Sequence, residues 1–165
     1  MKDEFLESYG GQTTDQLIEL DSRYRTDSIV LAFEQAIQQA AGKRALSREE
    51  TYVLAVEGLE REVNNGGYGQ FFFNSSNEYA GSIVSALRAI GCPKTADITQ
   101  QAIAALGIQG EPTREAMEAV ILSENDAVKQ RLGECDERYF ANDEPIADRL
   151  FDWIKRNRGQ IRLGA

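Results

Sequence analysis

Side chains that could hold or attack a ligand are concentrated in residues 62–76, which read EVNNGGYGQFFFNSS. Glu62 is the obvious general base of this stretch, and the amide and phenol groups around it could orient a ligand. The candidate residues of a ligand-binding or structural corner are Glu62, Asn64, Asn65, Gly66, Gly67, Tyr68, Gln70 and Asn74. No second chemical group stands at a recognisable spacing from Glu62, and the glycines match neither the P-loop nor the dinucleotide-binding fingerprint. The pattern therefore favours a structural corner over a binding corner, and a binding corner over a catalytic loop.

The absence of histidine removes many catalytic mechanisms from this chain. Ser-His and Cys-His nucleophile pairs, a histidine base and histidine metal ligands are all excluded. Cys92 and Cys135 lie far apart without metal-like spacing, which is typical of two reduced thiols in a cytoplasmic protein. We therefore expect a protein that is not an enzyme and that has neither a cofactor nor a metal site.

The chain is acidic, with 27 Asp and Glu against 18 Lys and Arg and a net charge of −9. The acids are densest in residues 111–152, which hold 12 acids and 5 bases, whereas the last 13 residues hold four bases and no acid. This balance disfavours direct binding to nucleic acid or to anionic membranes, because both require basic surface. With neither a long apolar run nor a secretion signal, the sequence predicts a cytoplasmic protein.

Two groups of acids have the spacing of an exposed helix face. Side chains three or four residues apart on a helix are neighbours, with Cβ atoms about 5–6 Å apart, near the spacing of phosphates along a strand. The first predicted acidic face comprises Glu111, Glu115 and Glu118. The second comprises Asp143, Glu144, Asp148 and Asp152, of which the last three are four residues apart. Arg114, Arg138 and Arg149 interrupt these rows, which are the predicted binding surfaces for a protein partner.

The hydrophobic period is helical almost throughout, so we predict a single all-α domain over residues 1–165 with about seven or eight helices. Residues 1–46 would form the N-terminal helices. Ser47 and Glu50 have the spacing of a capping box. The helix through Val63 is expected to end in a left-handed residue at Asn65 or Gly66. The three phenylalanines of residues 71–73 spread around a helical turn, which predicts two in the core and one at an edge.

Two sequence blocks resemble a known family. The first is EVNNGGYGQFFFNSS with the ALRAIG of residues 86–91, and the second is the CDERYF of residues 135–140 with the LFDWIKRN of residues 150–157. They are similar to a bacterial domain-of-unknown-function family that includes a DNA-mimic protein, over residues 47–158. The resemblance implies a small all-helical cytoplasmic protein without known enzymatic activity. The DNA-mimic relative presents acidic surface to a transcription factor and competes with its operator, but the resemblance assigns no interface residue to this chain.

Three functions remain open from the sequence. The first is an acidic interaction protein that occupies the DNA-binding surface of a transcription regulator or of another nucleic-acid-binding protein. The second is an inhibitor or immunity module for a partner that does not bind DNA. The third is a small-ligand binder or enzyme built on the corner at residues 64–76. A protein partner is expected, and the sequence does not specify the oligomeric state.

Overall fold

The structure, a computed structural model, describes residues 2–164. The predicted all-α class with seven or eight helices is confirmed, since these residues form eight α-helices and no strand. Met1 and Ala165, the ends of the predicted domain, lie outside the described residues. In chain order the α-helices are α1 (Thr14–Glu19), α2 (Thr26–Ala41), α3 (Arg48–Phe73), α4 (Ile83–Ala89), α5 (Pro93–Ala105), α6 (Arg114–Leu122), α7 (Asp126–Ala141) and α8 (Ile146–Arg156). No helix among the described residues is long and apolar enough to cross a membrane.

Close contacts group the chain into two compact units. The first unit comprises the residues up to Glu57 and those from Pro145 onward. Its core forms where α1 and α8 pack against α2. The buried apolar side chains of α2 and α8 include Ile29, Phe33, Leu150 and Ile154.

The second unit, Gly58–Glu144, is organised around α5, which packs against both α4 and α7. Ile83, Leu87, Ala102 and Leu132 are buried among these helices. The second part of α3 adds aromatic side chains to the same core. Phe71 and Phe72 are fully buried and Phe73 is 43% exposed, which confirms the prediction of two core phenylalanines and one at an edge.

The helix starts follow local sequence signals. At α3 the capping box is present, because Glu50 N donates to Ser47 Oγ at 3.0 Å and Ser47 N donates to Glu50 Oε2 at 2.9 Å. Pro93 occupies the first turn of α5, where a missing N–H has no consequence. Thr113 caps α6 through its side chain, which accepts a hydrogen bond from Ala116 N. These interactions join residues close in sequence and were therefore predictable.

The glycine-rich stretch interrupts α3 with a bend, which separates it into two helical segments at Gly66 and Gly67. Gly67 has φ 76° and ψ −176°, a conformation almost restricted to glycine, whereas Gly66 is extended with φ −160°. The prediction of a left-handed residue at Asn65 or Gly66 is therefore wrong, and the positive φ lies at Gly67. The reason is a tertiary contact, since a Cβ at Gly67 would lie only 2.5 Å from Asp136 Oδ2 on α7.

We expect Gly67→Ala to lower the free energy of unfolding by about 1–3 kcal/mol, because alanine there is strained and collides with the Asp136 carboxylate. Gly69→Ala is the matched control two residues away, since its Cβ would meet no atom within 4 Å. Urea denaturation of both variants measures the difference. Equal midpoints for the two variants would contradict this account of the bend.

Candidate functional site

A buried carboxylate joins the two sides of the bend. Glu62 Oε2 accepts hydrogen bonds from Gln70 Nε2 at 2.7 Å and from Asn74 Nδ2 at 2.9 Å. Glu62 is only 7% exposed. A buried carboxylate requires such donors, and here both donors come from the chain itself. The structure thus brings together three predicted site residues in an internal network that holds the bend.

The other predicted corner residues have separate environments. Tyr68 is fully buried, and its hydroxyl lies 2.7 Å from Thr99 Oγ1 on α5. Burial raises the pKa of Tyr68, so the phenol stays protonated at neutral pH. Asn64 is exposed and donates from Nδ2 to the carbonyl oxygen of Glu60 at 2.7 Å, while Asn65 is exposed as well. The side chains of the motif therefore do not converge on one ligand position.

A groove of about 250 Å³ lies beside the bend, within the second unit. We call it the corner groove. Its surface is formed by the backbone of the bend, by apolar side chains of α6 and α7, and by one carboxylate. The residues that line it include Gly66, Gly69, Val120, Val128, Lys129, Leu132, Gly133 and Asp136. Sequence reasoning missed this groove because its α6 and α7 residues are more than 50 positions from the glycines.

Asp136 is the carboxylate that lines the corner groove. Its Oδ1 accepts a hydrogen bond of 2.7 Å from Tyr68 N, the first residue after the bend. Burial raises the pKa of Asp136, and the hydrogen bond from Tyr68 offsets part of the rise. Within residues 2–164 no cation pairs with this carboxylate. Asp136 was not among the predicted site residues, although it lies in the second sequence block.

Glu60 is a second carboxyl group of this unit whose environment perturbs it. Glu60 Oε1 is buried and, among the described residues, has no hydrogen bond. Burial raises the pKa of Glu60 to about 7. Sequence reasoning also missed this residue, because its burial depends on which face of α3 is covered.

The prediction of one helix face for Glu111, Glu115 and Glu118 is wrong at Glu111, which lies before the first residue of α6, whereas Glu115 and Glu118 lie on that helix. Glu111 and Glu115 are exposed, and Glu118 is half-buried. Glu115 lies in the first turn of α6, where the helix dipole favours a carboxylate. None of the three forms an ion pair with a described residue.

The second predicted face does not form one row. Glu144 precedes α8, and its carboxylate accepts from Lys94 N at 2.9 Å and from Thr95 N at 2.8 Å, at the start of α5. Burial alone would raise the pKa of Glu144, but the hydrogen bonds outweigh it and hold that pKa below its usual value. Asp143 pairs with Lys94 in the second unit. The prediction that Glu144 shares a helix face with Asp148 and Asp152 is therefore wrong. Glu144 caps the start of α5 instead.

The remaining acids of that prediction, Asp148 and Asp152, lie on α8 in the first unit and are exposed. Asp152 pairs with Lys155 at 2.9 Å. The predicted acids thus lie in both units. Some form no ion pair with a described residue, some pair with a lysine, and Glu144 caps a helix.

The helical fold and the concentration of acid in the second unit define an acidic all-α protein. A sequence model of the family described as DMP19-like protein matches residues 44–157, most of the chain. The chain belongs to the DMP19-like protein family. The matched range is close to residues 47–158, which carry the sequence resemblance. Comparisons with curated proteins and with solved structures gave no match.

Glu60 should make stability depend on pH. Its pKa is about 7 in the folded state against 4.5 for the ordinary group, so the folded state binds a proton more tightly between these values. The free energy of unfolding should therefore fall as pH rises from about 4.5 to 7, by an amount on the order of 1–3 kcal/mol. Glu60→Gln should raise stability more at pH 8 than at pH 5, as measured by urea denaturation.

The control is Glu137→Gln, which removes the same charge from an exposed position in the same unit. A gain from Glu60→Gln that is the same at both pH values would show that burial does not perturb this carboxyl group.

Proposed function

We propose that this protein is a non-enzymatic interaction module whose acidic second unit occupies the basic surface of a nucleic-acid-binding protein. The observation that carries the proposal is the set of carboxylates between residues 111 and 137 that form no ion pair with a described residue. These carboxylates belong to Glu111, Glu115, Glu118, Asp126, Glu134, Asp136 and Glu137.

The bases of the same region are engaged within the chain. Arg114 Nη2 lies 3.5 Å from Glu78 Oε2, and Lys129 Nζ lies 3.6 Å from Glu124 Oε1. Arg131 donates to the carbonyl oxygen of Ala127 at 3.3 Å. Arg131 pairs with no described carboxylate, but residues 111–137 hold eight acids and only three bases, so this segment keeps a net negative charge.

Charge density limits the kind of contact. The second unit carries 14 acids and 7 bases, a net charge of −7. Duplex DNA carries one charge per about 1.7 Å of its axis, so the unit corresponds to a short stretch of duplex at most. Neighbouring carboxylates on one helix, such as Glu115 and Glu118, offer a local spacing of about 5–6 Å between Cβ atoms. A short acidic patch is large enough to compete with DNA for one phosphate-binding surface of a partner.

The family assignment supports the same proposal. The chain belongs to the DMP19-like protein family, and its sequence resembles a family that includes a DNA-mimic protein. An acidic protein that competes with DNA needs exposed carboxylates and no chemistry of its own. The expected partner is accordingly a basic, DNA-binding protein.

The test is capture of partners from a lysate of the source organism on immobilised protein, followed by elution along a salt gradient or with duplex DNA. We expect DNA-binding proteins that are released by moderate salt and displaced by duplex DNA. The triple variant Glu111→Gln, Glu115→Gln and Glu118→Gln should bind the captured protein roughly tenfold more weakly, since each exposed ion pair contributes at most about 1 kcal/mol.

A matched control removes three exposed acids from the first unit, with the changes Asp3→Asn, Glu7→Gln and Glu19→Gln. It has the same net charge as the triple variant and should retain wild-type affinity. A captured partner that is indifferent to salt and to DNA, or equal losses in both triple variants, would refute the proposal.

A further inference from the structure

The corner groove has the composition of a pocket for one long cationic side chain. Val120 of α6 and Val128 and Leu132 of α7 give it apolar walls. Asp136 lies four residues beyond Leu132, one helical turn along α7, so the carboxylate continues the apolar wall. A groove with apolar walls next to a carboxylate matches a ligand that has an aliphatic stem and a cationic head. Such a stem packs on apolar surface, and its charge pairs with the carboxylate.

The two oxygens of the Asp136 carboxylate differ in their hydrogen bonds, and Oδ2 also packs against Gly67. Tyr68 N donates to Oδ1 of Asp136, and no described group donates to Oδ2. A half-buried carboxylate without a cation is poorly solvated, which raises the pKa of Asp136. A cation brought by a partner would supply the missing interaction.

The groove also contains one cation, Lys129. Its Nζ pairs with Glu124, and it lies seven residues before Asp136 on α7, about 10 Å along the helix axis. Lys129 is thus placed away from the carboxylate, and the free negative charge of the groove lies at the Asp136 end.

Two glycines keep the groove open. Gly69 and Gly133 both line it, and a Cβ at either position would meet no atom within 4 Å. Neither has a positive φ, so the backbone does not require glycine there. Gly133 even lies within α7, where glycine is the less favourable residue. The fold does not explain these glycines, whereas an open groove does.

We propose that the corner groove binds an arginine side chain of the partner protein, with its aliphatic stem against Val128 and Leu132 and its guanidinium on Asp136. Arginine is favoured over lysine because guanidinium is more weakly hydrated and binds carboxylates in a planar geometry. The inference rests on the proposed function in that the partner is basic. The corner groove would add a binding pocket to an interface otherwise formed by exposed carboxylates. Buried arginines often dominate the binding energy of an interface.

The test uses the isolated protein and n-butylguanidinium chloride as the probe, with ¹H–¹⁵N NMR spectra recorded along the titration. Saturable shifts are expected at the amides of Gly66, Tyr68, Gly69 and Gly133. Asp136→Asn keeps an oxygen for Tyr68 N and should weaken binding about tenfold or more. Gly133→Leu fills the groove with a good helix former and should abolish binding without lowering the melting temperature.

Two controls separate the outcomes. n-Butanol presents the same stem without the charge and should give no saturable shift, while n-butylammonium chloride should bind more weakly than the guanidinium. The absence of saturable shifts in the wild-type protein, or equal shifts in the wild type and Asp136→Asn, would overturn the proposal.

If Gly133→Leu does not fold, Gly69→Leu provides the second groove-filling variant. Retained binding in a folded groove-filling variant would also overturn the proposal. Because no partner is present, this result is independent of whether lysate capture finds a DNA-binding protein.

Discussion

The carboxylate of Asp136 packs against Gly67 so closely that a β-carbon at residue 67 would lie only 2.5 Å from Oδ2, and the bend in the second unit depends on this close contact. Only glycine permits both the approach and the positive φ at Gly67, and the bend then presents Tyr68 N to Asp136 Oδ1. This amide begins a helical segment and would otherwise lack a partner, so Asp136 acts as a cap supplied from another helix. Tyr68 in turn reaches Thr99 on α5 and packs edge-on against Tyr139 of α7, with ring centroids 5.9 Å apart. One bend thereby links α3, α5 and α7.

The acidic residues serve two different purposes. Glu50 binds Arg44 through both oxygens and also accepts from the backbone of Arg162, and Glu62 and Glu144 are likewise surrounded by donors. These carboxylates hold the fold and present little charge to a partner. Net charge therefore overstates the acidic surface, and only the carboxylates around α6 and α7 that form no ion pair with a described residue support the proposed binding to a partner. The distinction follows from desolvation, since a buried carboxylate must be matched by donors within the chain.

The polar side chains of the glycine-rich motif stabilise the bend, and the backbone of the motif forms part of the surface of the corner groove. Its polar groups bond to one another across the bend, which leaves the backbone of Gly66 and Gly69 beside the groove. The structural and binding interpretations of this corner are thus compatible. In the proposed binding mode the glycines of the motif leave space for a ligand, whereas the carboxylate and the apolar walls come from α6 and α7.

The sequence by itself determined the features that depend on neighbouring residues. The helical class, the capping box at Ser47 and the burial of two of the three phenylalanines were predictable, because capping and periodicity act over a few residues. Tertiary structure decided which glycine takes the positive φ, where Glu144 points and which carboxyl groups are buried. Tyr68 and Asp136 are 68 residues apart, and Thr95 and Glu144 are 49 apart. Local patterns contain no information about such pairs, because the energy that fixes them arises only when distant segments pack together and exclude water.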